Sequence, residues 1–313
     1  ADLYDPGQLA DAMRGTERAY YCPPYQPFMI QSAVAFAVAA REARLESIVA
    51  LSQWLSSPVH PALLTRQTWL ADQLFAMVPD VALTIVNAGF FADNYLRMTP
   101  YAAHLGIFPS LYGESRDAPP SNEDIARVAA AALMDPARHA GRRYRPTGPA
   151  LLSTSDMVEI LGRVLQRRVI PMPMPRWMLL KAARMQGASV YEIREFIVYL
   201  GDHRQGAFEA GAPNDVVQMA TGLPAESFEE TARRYAARPE ARRTVANGLK
   251  AWLDFLRTPF VPGHDVVRFE HGLMAPAPAI PRFAMLDDAW RGSHGVAEML
   301  PAANRANAVA GVA

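Results

Sequence analysis

Ser47-Ile48-Val49-Ala50-Leu51-Ser52 and Val81-Ala82-Leu83-Thr84-Ile85-Val86 decide the fold. Each is a short, nearly unbroken apolar run rich in β-branched residues. Such runs read as strands buried on both faces, not as half-wet edges. Between them, Pro61 to Met77 carries helical spacing. Upstream lie an alanine-rich helical stretch, Phe28 to Ala43, and a further short strand, Arg18 to Cys22, ended by Pro23-Pro24. Asp5-Pro6 opens a helix that Gly15 closes, because Asp caps the first amides and Pro is preformed for the first turn. Short buried strands alternating with longer helices predict an α/β fold with a mostly parallel sheet covered by helices.

After Gly89 the alternation loosens. Helices are expected over Phe91 to His104, Asn122 to Met134, Ser153 to Leu165, Trp177 to Gln186, Val190 to Leu200, Phe228 to Ala237 and Arg242 to Leu256. Arg143 to Pro146 and Val169 to Met172 read as short strands. The expected organisation is therefore a first unit over 1–90, a smaller and mainly helical lobe over 91–257, and an irregular tail over 258–313. The tail is rich in proline, glycine and small residues, and its end from about Ala302 is expected to be disordered.

The 313 residues include 31 basic and 31 acidic ones, so no net field favours nucleic acid or an anionic surface. Only Lys181 and Lys250 are lysines. Cys22 is the single cysteine, which excludes an internal disulfide and fits a cytoplasmic setting. The longest tidy apolar run, Ala33 to Ala40, falls far short of the ~20 residues that span a bilayer. Neither a signal peptide nor a membrane partner is expected. The seven histidines show no H-x-x-x-H pairing, so no metal site is expected.

The order of motifs resembles the NmrA-like branch of the atypical short-chain dehydrogenase/reductase superfamily. The resemblance runs from Asp2-Leu3-Tyr4-Asp5-Pro6 through Ala39-Ala40-Arg41-Glu42-Ala43, Ile48-Val49-Ala50-Leu51-Ser52 and Thr84-Ile85-Val86-Asn87-Ala88-Gly89-Phe90-Phe91-Ala92-Asp93-Asn94. It continues with Glu123-Asp124-Ile125-Ala126, Asp135-Pro136, Tyr144, Thr147-Gly148-Pro149, Leu151-Leu152-Ser153 and Thr221-Gly222-Leu223-Pro224. It implies a Rossmann-like fold that binds NADP or NAD across the carboxyl ends of its strands. Carried over position by position, Asp2 and Leu3 fall at the adenine, Cys22 and Pro23 beside the ribose, Ser52 and Gln53 near the nicotinamide, and Asn87, Ala88, Gly89, Phe90 and Phe91 around its carboxamide.

Two departures from the family pattern stand out. Neither G-x-G-x-x-G nor G-x-x-G-x-x-G occurs; only Gly292 and Gly295 stand three apart. The turn that grips the pyrophosphate, with its flanking strands, is thus missing. The resemblance leads us to expect residues before Ala1, and makes the cofactor assignment conditional on them. The second departure is catalytic: no tyrosine is followed four residues later by lysine. Where that pair belongs stand Leu64 and Thr68, ahead of Asp72, and neither can do acid–base work.

Other candidates are weighed against plain structural roles. Asn94, Met172 and Trp177 are expected at a substrate pocket. Met172, Met174, Trp177, Met178 and Met185 form an apolar set that suits core packing more than a cleft wall. Ser52 reads equally as a turn cap, His60 as incidental, and Tyr112 with Arg116 as loop residues. The paired arginines at 142–143, 167–168, 233–234 and 242–243 read as solvated faces. The leading expectation is a redox-responsive regulatory or accessory protein, or a weak reductase. The alternatives are an NAD(P)H-dependent oxidoreductase acting on a quinone or other hydrophobic acceptor, and a structural subunit that has lost the cofactor. Expected partners are a hydrophobic small molecule or a regulatory protein, without nucleic acid, with a homo-oligomer allowed.

Overall fold

The computed structural model describes residues 1–111, 113 and 115–296. The chain opens with α1 (Pro6–Met13), whose first turn Asp5 caps by accepting from the Gln8 amide. Then come β1 (Arg18–Tyr21), α2 (Met29–Glu42), β2 (Ser47–Gln53), α3 (Leu63–Ala76) and β3 (Ala82–Ala88). The lobe begins with α4 (Ala92–Leu96), α5 (Thr99–Leu105), β4 (Ile107–Ser110) and β5 (Arg116–Asp117). The chain returns to the sheet with α6 (Asn122–Met134), α7 (Pro136–His139) and β6 (Arg143–Tyr144). It leaves again through β7 (Leu152–Ser153), α8 (Thr154–Leu165), β8 (Ile170–Pro173), α9 (Arg176–Met185) and α10 (Val190–Arg204). The remainder is α11 (Val216–Thr221), α12 (Phe228–Ala237), α13 (Val245–Arg257), α14 (Val266–Leu273) and α15 (Asp288–Ser293).

The main sheet has the order β1-β2-β3-β6 and every pair is parallel. Its alternation shows why the strands read as continuous apolar runs. Ile48 and Ala50 pack with α1, α2 and α3, while Val49 and Val86 face α6 and α11. Both faces are covered, as expected from the sequence, and the fold is Rossmann-like α/β. β4 pairs with β8 in parallel, and β5 with β7 antiparallel. These pairs build the lobe around a core that includes Phe90, Phe108, Leu161 and Phe228.

Two expectations are corrected. Phe91 to His104 is not one helix: α5 restarts at Thr99 with Pro100 in its first turn. Proline has no amide to continue the preceding helix. The segment from Thr258 is not irregular throughout, since α14 and α15 lie within it. Asp265 and Asp287 cap these helices, accepting from the amides of Arg268 and Ala289. The expected disorder from about Ala302 lies outside the described residues, as does Tyr112.

This tail clasps the loop that follows β2. Arg282 N–H donates to the Val59 carbonyl at 2.9 Å, Ser57 Oγ to Asp287 at 2.7 Å, and Trp290 Nε1 to the Trp54 carbonyl at 2.9 Å. The Trp54 and Trp290 rings meet edge to face at 5.3 Å. Phe283 lies against Gly201 of α10, where an added Cβ would stand 2.5 Å from its ring. Glycine is therefore needed there for close approach.

Candidate active site

β2 and β3 end side by side, and the backbone beyond them must leave the sheet. That creates an open mouth at their carboxyl ends, which is where ligands of parallel sheets bind. A cleft of about 1920 Å³, open mouth included, occupies this place between the sheet and the lobe. Ser52, Gln53, Ala88, Gly89, Phe90 and Phe91 form its strand-end side. Leu64, Thr68 and Asp72 of α3 form one wall; Glu192, Glu195, Phe196 and Tyr199 of α10 form the facing one. Phe108 and Met172, Met174 and Met178 close the lobe side.

Of the residues singled out in the sequence, Pro23, Ser52, Gln53, Ala88, Gly89, Phe90, Phe91, Asn94 and Met172 line this one cleft. Asn87 lies just beneath it. Its amide donates to Ser52 Oγ at 3.3 Å and to the Gln53 carbonyl at 3.0 Å, tying the two strand ends together. Asp2, Leu3, Cys22 and Trp177 are exposed and do not line it. Asp2 instead accepts from the Tyr4 amide at 2.9 Å, a local turn bond. Trp177 stands over the Lys181 ammonium at 5.5 Å, because its position on α9 points away from the lobe core. Within the methionine set, three of the four methionines border the cleft, while Met185 accepts a weak bond from Thr258 at 3.7 Å. Arg116 pairs with Glu209 at 3.4 Å on the surface.

Two polar knots interrupt the apolar walls. In the first, Gln53 Oε1 accepts from the hydroxyls of Tyr199 and Thr65, each at 3.0 Å. Among the described residues no hydrogen bond from Gln53 Nε2 is seen, and Gln53 lines the cleft. Burial holds the Tyr199 phenol well above its ordinary pKa, helped by the negative charge of Glu195. It stays protonated and keeps Gln53 in this orientation. Glu195 itself accepts from the Leu64 amide at 2.9 Å, capping the start of α3, and pairs with Arg194 at 2.6 Å.

In the second knot, Asp72 is buried and accepts from Ser52 at 2.8 Å and from Ser56 at 3.5 Å. Arg143 stands 3.3 Å away. Burial outweighs these partners and raises the Asp72 carboxyl to about 6. Ser52 thus belongs to a buried carboxylate knot rather than to a turn cap.

The tyrosine–lysine pair has no counterpart. Leu64 is apolar, and Thr68 Oγ1 donates to the Leu64 carbonyl at 2.8 Å within its own helix. His60 is fully buried away from the cleft lining. Its Nδ1 accepts from the Ala62 amide at 3.0 Å, so Nε2 carries the proton and donates to Asp202 at 2.9 Å. This is a structural lock. Sequence reading missed Tyr199, Thr65 and Glu195. The available signal was the spacing Glu192, Glu195, Phe196, Tyr199, which sets four residues on one face of α10. Among the described residues, no cluster of side chains could hold a metal ion, and no helix is long and apolar enough to cross a membrane.

No protein-family model matches the chain. An NAD(P)H azoreductase of Xenophilus azovorans is 28% identical over 243 residues, covering 75% of this chain and 81% of the azoreductase. An NADPH-dependent quinone oxidoreductase of Escherichia coli superposes with a TM-score of 0.64 at 18% identity, over 75% of this chain and 81% of its own. A triphenylmethane reductase of a Citrobacter species, solved with NADP(H), superposes with a TM-score of 0.64 at 16% identity, over 75% and 82%. At such identities the likeness of the solved structures is one of fold, and it agrees with the Rossmann-like sheet described above.

Proposed function

We propose that this chain is an NAD(P)H-dependent oxidoreductase acting on a quinone or another flat hydrophobic acceptor. The observation carrying this reading is the cleft itself: aromatic and methionine walls, open at the carboxyl ends of parallel strands, with the Gln53 amide in its lining. Such a lining takes up an apolar ring system and orients it by one or two polar contacts. The azoreductase relative supports reduction over redox sensing, as do the two structural neighbours, which are reductases by name. Membership of the NmrA-like branch belongs to the same proposal.

The residues present fit the nicotinamide half of the cofactor. Pro23, Ser52, Gln53, Ala88, Gly89, Phe90 and Phe91 would hold it at the strand ends, with the Gln53 amide matched to a carboxamide or acceptor oxygen. For the adenine half, Asp2, Leu3 and Cys22 remain a rim outside the cleft, and the sequence has no glycine turn for the diphosphate. NAD(P)H supplies a hydride when bound. The rings of Phe90, Phe91 and Phe196 would pack against the acceptor in the open cleft, and Gln53 would orient it. A quinone oxygen takes its proton from solvent, so the absence of a tyrosine–lysine pair is no obstacle to this chemistry.

The test is oxidation of NADPH and NADH with a panel of quinones and azo dyes, together with a fluorescence titration of each reduced cofactor. Saturable turnover on at least one acceptor is expected. Cofactor binding without turnover would return the reading to a redox-responsive regulator. Neither binding nor turnover would leave a structural subunit.

A further inference from the structure

Helix α13 is turned inside out. Its apolar residues Val245, Leu249, Trp252, Leu253 and Leu256 fall within an arc of about 100° on the helix. They are half to nine-tenths exposed, and only Ala251 of this helix is buried. Phe260 follows at 87% exposed. The helix leans on the lobe by its narrow Ala251 and Phe255 side, so the broad stripe faces outward. Phe255 and Thr258 line the cleft, which places the stripe at the cleft's lip.

The charge around this lip is not neutral, although the chain as a whole is. Lys250 and Arg257 border the stripe on its polar edge. Arg242 and Arg243 precede the helix, and Arg176, Lys181 and Arg184 lie on neighbouring α9. Against these seven stand Glu192, Glu240, Asp254 and Asp265, of which Asp254 is already paired with Lys250 at 2.9 Å and Glu192 with Arg97 at 3.1 Å. A second copy packed on this face would bring basic residues against basic residues, which opposes association. An anionic lipid surface would meet the same residues with opposite charge.

We infer that α13 docks flat on an anionic lipid surface, with Trp252, the leucines and Phe260 in the headgroup region. A Trp- and Leu-bearing face bordered by Lys and Arg is the arrangement that binds at such an interface. Docking sets the cleft mouth beside the apolar layer into which hydrophobic acceptors partition. The absence of a long apolar run and a net charge of zero led us to expect no membrane partner. A helix lying in the interface needs neither a spanning length nor a charged chain, only a local stripe and a local basic rim.

The test is co-sedimentation of the full chain with vesicles of phosphatidylcholine alone, or with about one third phosphatidylglycerol, at low and high salt. The variants are Leu249→Glu with Trp252→Glu, and Lys250→Glu with Arg257→Glu. All four positions are exposed, and an unchanged melting temperature confirms that each variant folds. Wild type should sediment with the anionic vesicles and be released by salt. Both double variants should lose about tenfold or more in binding. No sedimentation of wild type, or equal sedimentation of the Leu249→Glu/Trp252→Glu variant, overturns the inference. So does a wild-type dimer in solution that this variant converts to monomer, since a second copy would then cover the stripe.

Discussion

Gln53 ends β2 at the cleft, and Tyr199 reaches it from 146 residues further along the chain. Tyr199→Phe removes one of two donors that fix the Gln53 oxygen and leaves the fold intact. If Gln53 orients the acceptor, kcat/KM for the quinone should fall about tenfold, the worth of one well-placed hydrogen bond. Binding of reduced cofactor should change less, and steady-state kinetics beside cofactor titration separates the two. Asp72 offers a pH-dependent test. Its folded carboxyl titrates near 6, against an ordinary 3.8. The folded state therefore holds an extra proton between those values, and stability falls as pH rises through that window, by at most about 3 kcal/mol. In thermal melts, Asp72→Asn should flatten the decline between pH 4 and 6 (values near the two ends of that window). An unchanged decline would assign it to other groups. Both knots escaped the sequence because their members come from different elements, and a lone Gln, Ser or Asp carries no periodic signal.

At the scale of elements, the readable boundaries were those marked by local chemistry. Asn122 to Met134 and Phe228 to Ala237 coincide with α6 and α12, where Ser121 and Ser227 accept from the amides three residues on. The apolar strands were legible because burial on both faces leaves no polar alternation. α14 and α15 were not, since proline-rich flanks hid their aspartate caps. The His60–Asp202 lock joins the β2 loop to α10, and Asp202 also accepts from the Ala284 amide at 3.1 Å. Asp202→Ala would strand two donors in a dry interior. Denaturant unfolding should show a loss of about 3 kcal/mol. A loss below about 1 kcal/mol would mean that the surroundings relax or admit water.

For the whole molecule, the alternation of strands and helices gave the layered architecture, while the cleft's far walls came from the lobe, where no motif announces them. Nine of the fourteen candidate site residues meet in one cleft because strand ends in a parallel sheet all open on the same side. Of the exposed candidates, Asp2, Leu3 and Cys22 belong to the other half of the expected cofactor, whereas Trp177, expected at the substrate pocket, sits on the outer face of α9. Arg145 helps bind the lobe to the sheet: its guanidinium lies 3.6 Å over the Trp54 ring and donates to the Phe208 carbonyl at 2.8 Å and to that of Ala210.

The clasp between the tail and the β2 loop has a kinetic consequence. Trp54, Val59 and Ser57 are bonded to Trp290, Arg282 and Asp287, so neither strand of this contact can open alone. The two segments should behave as one cooperative unit in amide hydrogen exchange, with the Arg282, Ala284 and Arg291 amides exchanging at a common free energy. Trp290→Ala should speed all three together, and scattered, unrelated rates would show that they open separately. If they move as one, the strand-end side of the cleft breathes only as often as the far end of the chain lets go.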